Sequence, residues 1–209
     1  MKKEIEILNI LKTTYPEATC SLDFTTPFEL MVAVVLSAQC TDARVNKVTP
    51  TIFENYSTPK DFANMDIKVL ETLIHSCGFY KAKANNLKAA AIKIMNDFNG
   101  TLPNTMEELI SLPGVGRKSA NVIMLEAFNN PQGIAVDTHA KRISNRIGFS
   151  SKKDPLDIEK DLIKKFPKKY FYDLNHLLVW HGRNYCDAKK PNCTNCPVNS
   201  FCKFYKSFK

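Results

Sequence analysis

The 209 residues allow one large domain or two small lobes, and an apolar content of 44% is enough to bury a core, so a globular protein is the default. Lys and Arg total 29 against 21 acids, and the formal net charge of +8 suits a polyanionic partner. Glu4 and Glu6 break the apolar stretch a secretory signal needs, and the most apolar run, 30–36, is far shorter than the ~20 residues of a membrane-spanning helix, so export and membrane insertion are excluded and a cytoplasmic chain is expected.

Strand signals are nearly absent while helical signals recur with start and stop punctuation, which predicts an all-α fold. Thr26, Pro27 and Glu29 supply a capping threonine, a proline at the first helical position and a glutamate placed to reach back, so a helix begins there and runs to about Gln39. Further helices are predicted over 66–76, 83–96 and 105–111, separated by turn material such as Gly78 and 99–103. Beyond Pro131-Gln132-Gly133 come helices over 138–147, 155–166 and 170–183. No long polar linker, low-complexity tract or internal repeat interrupts them.

The segment Leu112-Pro113-Gly114-Val115-Gly116-Arg117-Lys118 lies between the 105–111 helix and a periodic stretch in which Ala120, Ile123, Met124 and Ala127 mark one apolar stripe. The pattern is helix, glycine hairpin, helix. Glycines at 114 and 116 permit positive φ and close approach, so that backbone N–H groups at the start of the second helix can face a phosphate without reading base sequence. A tight helix-helix connection is the simpler use of the same glycines.

Seven cysteines in a cytosolic chain point to metal binding rather than to disulfides. Four of them, Cys186, Cys193, Cys196 and Cys202, form a C-x6-C-x2-C-x5-C run whose intervening chain is short enough to wrap one centre. Spacing alone leaves zinc and an iron-sulfur cluster both open. Cys20, Cys40 and Cys77 stand apart and read as small buried side chains.

Together with Val136-Asp137-Thr138-His139, Leu36-Ser37-Ala38-Gln39-Cys40-Thr41-Asp42 and His181-Gly182-Arg183, these motifs resemble the endonuclease III family of the helix-hairpin-helix DNA glycosylases, in order and over nearly the whole chain. The resemblance implies two all-α lobes: a six-helix barrel with the helix-hairpin-helix over 20–130, and an iron-sulfur lobe made of 1–19 and 131–209 that holds one 4Fe-4S cluster on the four clustered cysteines. The active site is expected in a cleft between the lobes. It also implies a bacterial-type, nucleoid-associated monomer that acts on double-stranded DNA carrying damaged bases or abasic sites. The activity expected is removal of the base, oxidised pyrimidines above all, followed by nicking of the abasic site through β-elimination.

Chemistry assigns the parts. A base is out of reach inside a stacked duplex and must be flipped into a pocket. Lys118 is the candidate nucleophile at C1′; in the first turn of its helix, the positive end of the helix dipole, partial desolvation and a like charge from Arg117 all favour its neutral amine. Asp137 would stabilise cationic character at the sugar and assist proton transfer. By resemblance, Gln39 enters the gap left by the flipped nucleotide and Phe79 takes a wedge position more often aliphatic. Lys189 and Lys190, in the loop between the first two clustered cysteines, would bind phosphate along with Gly114, Gly116 and Arg117, and His139 would either face the site or pack at its helix start. A non-enzymatic binding module with structural zinc is the rival class, but it leaves Lys118 and Asp137 idle. A mismatch-directed glycosylase shares the framework, but it is disfavoured by Lys118 and by the short stretch beyond Cys202.

Overall fold

A computed structural model describes residues 2–207. The described residues are helical, with one 3-10 turn and no strand. They form two compact units, one of 1–19 with 131–209 and the other of 20–130. No described helix is long and apolar enough to cross a membrane.

The unit of 20–130 carries α2 (Pro27–Ser37), α3 (Asp42–Phe53), α4 (Pro59–Asn64), α5 (Ile67–Leu73), α6 (Tyr80–Asp97), α7 (Met106–Ile110) and α8 (Arg117–Glu126). Every residue from Phe28 to Leu36 is buried, so α2 has no solvent face and must be covered all round, here by α3, α6 and α8. Each large aliphatic side chain enclosed in this way contributes roughly 1.5–3 kcal/mol. Phe28 meets Phe62 of α4 edge-on, their ring centroids 5.2 Å apart.

The other unit carries α1 (Lys2–Thr14), α9 (Thr138–Ile147), α10 (Pro155–Lys165), a 3-10 turn (Lys168–Tyr170), α11 (Phe171–Asn184) and α12 (Lys203–Lys206). Its separate core gathers Ile7, Leu8 and Leu11 of α1 with Ile143, Leu162, Leu174 and Leu178, and the cysteine-bearing segment lies against it through Val198.

Punctuation explains most boundaries. Thr26 caps α2 while Glu29 reaches back, as expected. Thr58, Pro59 and Asp61 repeat that arrangement at α4, and Thr41 caps α3; both helices lay unmarked in the sequence reading, α3 because Pro50 sits inside it. α2 stops at Ser37 rather than near Gln39. The Leu36 carbonyl accepts from Lys83 Nζ at 2.8 Å, Cys40 N–H turns back to the Ser37 carbonyl, and Gln39 takes a left-handed φ of 53°. α6 begins at Tyr80, ahead of the expected 83, because the left-handed Phe79 ends the preceding turn, and α5 closes at Leu73 where Ile74 leaves helical geometry.

Glu29 is 5% exposed and accepts from Thr25 N–H and Thr25 Oγ, each at 2.7 Å, and from Thr26 N–H at 3.3 Å. Removing this carboxylate strands three donors, whereas removing the Thr26 hydroxyl loses one cap. In chemical denaturation, Thr26→Ala should cost roughly 1 kcal/mol and Glu29→Ala about 2–3 kcal/mol. Equal losses would show that the reaching-back carboxylate adds nothing to the cap.

Candidate active site

The hairpin between α7 and α8 turns at Gly114, whose φ of +81° suits glycine, and a Cβ there would come within 2.9 Å of Asn86 Cβ. Gly116 differs from the sequence expectation. Its φ is −88°, open to any residue, and nothing lies within 4 Å of where its Cβ would be. As the N-cap of α8 without a capping side chain, it leaves the first N–H groups of the helix directed outward. Arg117 and Lys118 follow as the first two residues of α8, both exposed.

Gln39 and Phe79 lie on neighbouring turns of the same unit, since a Cβ on Gly78 would be 3.5 Å from the Gln39 carbonyl oxygen. Both are exposed and left-handed, and Phe79 is 67% exposed at a φ of 58°. A bulky residue in that conformation outside a core carries backbone strain without burial to offset it. The turn bearing Gln39 is tied down by Lys83, a 5% exposed lysine whose pKa is lowered by burial. Sequence reading missed Lys83, because nothing local marks a lysine that caps a helix 47 residues away.

Asp137 is the N-cap of α9, and its Oδ1 accepts from Ala140 N–H at 2.7 Å. His139 is packed rather than open: its Nδ1 lies 3.1 Å from Arg142 NH2, and it sits so close to α11 that a Cβ on Gly182 would come within 2.9 Å of it.

The four clustered cysteines line one narrow pocket, joined by His181 and Tyr185. Burial pushes the Cys196 thiol up to about 11 and raises Cys193 as well, so each needs a positive centre to be held as a thiolate. Arg146 NH1 donates to Cys186 Sγ at 3.3 Å, and the Cys202 thiol donates to the Arg146 carbonyl at the same distance. His181, 1% exposed, lies 3.0 Å from Tyr15 Oη through Nδ1 and 3.5 Å from Cys196 Sγ through Nε2, and burial brings its pKa down to about 4. Among the described residues no three His, Cys, Asp or Glu side chains are arranged to hold a single ion. Outside this pocket Cys77 is buried as expected, while Cys20 and Cys40, outside the helices, are only partly buried against the core of the 20–130 unit.

The loop that starts at Cys186 has more support than its cysteines. Arg146 donates to the carbonyls of Asp187 at 2.7 Å and Ala188 at 2.9 Å, while Arg142 Nε holds the Cys186 carbonyl at 3.0 Å. Asp187 Oδ1 accepts from the N–H groups of Lys189 and Lys190, which hold its carboxyl below the usual range. Both lysine side chains are thereby presented to solvent. Arg142 and Arg146 stand one turn apart on α9; that i, i+4 spacing was the signal available for them.

A family model described as HhH-GPD superfamily base excision DNA repair protein matches residues 32–168. Endonuclease III of Synechocystis sp. is 48% identical over 201 residues, 96% of this chain and 92% of the relative, and that of Escherichia coli is 39% identical over 202 residues, 97% and 95%. A structure of a trapped endonuclease III–DNA covalent intermediate in an estranged-adenine complex is 42% identical with a TM-score of 0.93, covering all of this chain and 98% of that one. A thermostable thymine-DNA glycosylase, 22% identical with a TM-score of 0.89, shares the fold. With relatives this similar over almost its full length, the chain belongs to the HhH-GPD superfamily of base excision DNA repair proteins, in the endonuclease III family.

Proposed function

We propose that the chain is a bifunctional DNA glycosylase and abasic-site lyase that acts as a cytoplasmic, nucleoid-associated monomer on duplex DNA, with Lys118 as nucleophile and oxidised pyrimidines as the favoured lesions. The observation that carries this reading is the placement of Lys118: an exposed amine in the first turn of α8, two residues after a glycine whose Cα faces open space. The 42% identical relative has been captured as a covalent intermediate with DNA, which supports an amine nucleophile here.

The Lys118 amine attacks C1′ of the flipped nucleotide and the bond to the base breaks, the base taking one amine proton; the C1′–O4′ bond then opens, O4′ takes the other proton as the C4′ hydroxyl, and an imine is left at C1′. Proton loss from C2′ then expels the 3′ phosphate, which is the nick. Asp137 offers a carboxylate to the cationic sugar while its bond to Ala140 N–H fixes its orientation. Gln39 and Phe79 fill the vacated stack, and the hairpin N–H groups, Arg117, Lys189 and Lys190 hold phosphates. His139, at the start of α9 with its Nδ1 beside Arg142, is held in place two residues after Asp137.

Cys186, Cys193, Cys196 and Cys202 would hold the 4Fe-4S cluster. The four thiols line one narrow pocket, as a single centre held by all of them requires. When bound, the cluster ties the loop into its unit and supplies structure rather than bond cleavage.

Borohydride added during turnover should link the protein to DNA at Lys118. Lys118→Gln should abolish trapping, base release and nicking while binding persists, and wild-type trapping by that variant would move the chemistry to another amine. Asparagine caps helices as well as aspartate does, so Asp137→Asn should keep the melting temperature while slowing single-turnover base release by roughly 10²-fold or more.

The two glycines separate turn from contact. Gly114→Ala should lose about 1–2 kcal/mol of stability through its positive φ, with Asn86 adding to the cost. Gly116→Ala should lose up to about 1 kcal/mol as a poorer N-cap of α8, yet bind lesion and undamaged duplexes more weakly, and unchanged binding would mean that no phosphate approaches it.

Purified protein should hold about four irons per chain, and Cys196→Ser should lose them. Lys189→Ala with Lys190→Ala should reduce the salt slope of DNA binding by about two, equally for lesion and plain duplexes. A colourless protein with one zinc, or a slope left unchanged, would contradict the respective assignment.

A further inference from the structure

His181 lies in a segment whose role the DNA chemistry does not use. It is one of the most deeply buried polar residues, 1% exposed, in the last turn of α11. Its two nitrogens face different groups. Nδ1 is 3.0 Å from the Tyr15 hydroxyl, just beyond the end of α1, and Nε2 is 3.5 Å from Cys196 Sγ. Tyr185 stacks on the ring with centroids 6.0 Å apart and planes 16° from parallel, and Tyr15 meets it edge-on at 6.0 Å. The imidazole is thus held by a stacked ring on one face and by a polar group at each nitrogen.

We propose that Tyr15 and His181 form a directed hydrogen-bond relay that aims an N–H at the Cys196 sulfur and thereby tunes the reduction potential of the cluster, an inference that rests on the iron-sulfur reading of the four cysteines. The direction follows from elementary chemistry. A ligating thiolate sulfur accepts hydrogen bonds and cannot donate them, so the single proton of a neutral ring must sit on Nε2. Nδ1 is then an acceptor, and the Tyr15 O–H supplies its donor. Tyr15 therefore selects the tautomer, and His181 delivers the N–H.

An N–H aimed at a cluster sulfur stabilises whichever state carries more negative charge, which is the reduced one. Burial of the ring magnifies the effect, because His181 has no water to bond instead. Cys186 has a different donor, the Arg146 guanidinium, which also bonds the Asp187 and Ala188 carbonyls. The Asp187–Lys190 stretch takes its bonds from Arg146 and Asp187 rather than from the His181 side chain, so substitutions of that ring leave the bonds behind Lys189 and Lys190 in place. Tyr15 and His181 are positioning residues: neither touches DNA in this proposal.

The test uses the full chain as wild type, Tyr15→Phe, His181→Leu and His181→Gln, each assayed for iron and zinc and for melting temperature before voltammetry of the bound cluster. Loaded Tyr15→Phe and His181→Leu should show a midpoint potential below that of the wild type. His181→Gln, whose amide can still reach the sulfur, should lie between His181→Leu and the wild type. Tyr15→Phe removes a single oxygen and decides the matter if His181→Leu fails to load. Wild-type potentials in the loaded variants, a glutamine no better than leucine, or loss of iron from both Tyr15→Phe and His181→Leu would overturn the relay, the last by showing a structural role. Zinc without iron in the wild type would instead overturn the cluster reading beneath it.

Discussion

A helix with no polar face has to be enclosed, and in the 20–130 unit that constraint organises what surrounds it. From Phe28 to Leu36 α2 offers water nothing, so α3, α6 and α8 are drawn against it. Packing α8 there fixes the hairpin that precedes it and with it the direction in which Gly116, Arg117 and Lys118 face. Packing α6 there brings Lys83 to the end of α2, where it takes the Leu36 carbonyl and forces the chain into the turn that exposes Gln39. The exposed residues of this unit are consequences of its most buried element.

The 131–209 unit meets a different problem. The segment from Cys186 to Cys202 has little apolar substance, with Val198 its one fully buried aliphatic side chain among the described residues, and so cannot fold on its own core. It is held instead by polar bonds from regular elements: Arg142 and Arg146 from α9, His181 from α11, and Tyr15 beyond α1 through that histidine. Such bonds are directional, which lets a loop without a core still present Lys189 and Lys190 in a defined way. A metal centre on the four sulfurs would add to a frame that side chains have begun.

Two uses of glycine in one hairpin show how binding and folding divide the work. Gly114 serves the fold, as its positive φ and the nearby Asn86 demand. Gly116 needs neither a positive φ nor a close approach: its carbonyl accepts from Ala120 N–H as α8 begins, and the space where a Cβ would stand is open. Phe79 makes the same point from the opposite side, a large aromatic ring held in a strained conformation and left in water.

Local rules made the helical class legible in the sequence, along with the starts of α2, α9 and α10, because capping residues and apolar spacing act within one or two turns. The cysteine spacing and the glycine hairpin were equally plain, since each is a short pattern with its own chemistry. Local rules did not reveal that α2 ends at Ser37 or which of its two readings His139 follows, for each depends on a partner distant in the chain, the Lys83 amine and Gly182. Arg142, Arg146, His181 and Tyr15 gain their meaning in the same way, from bonds that span 40 to 44 residues or, for Tyr15 and His181, 166. Sequence determined which residues carry reactive and charged groups; tertiary structure decided which of them are buried as donors and which are left exposed, because burial and hydrogen-bond partnership come from neighbours that chain order does not name.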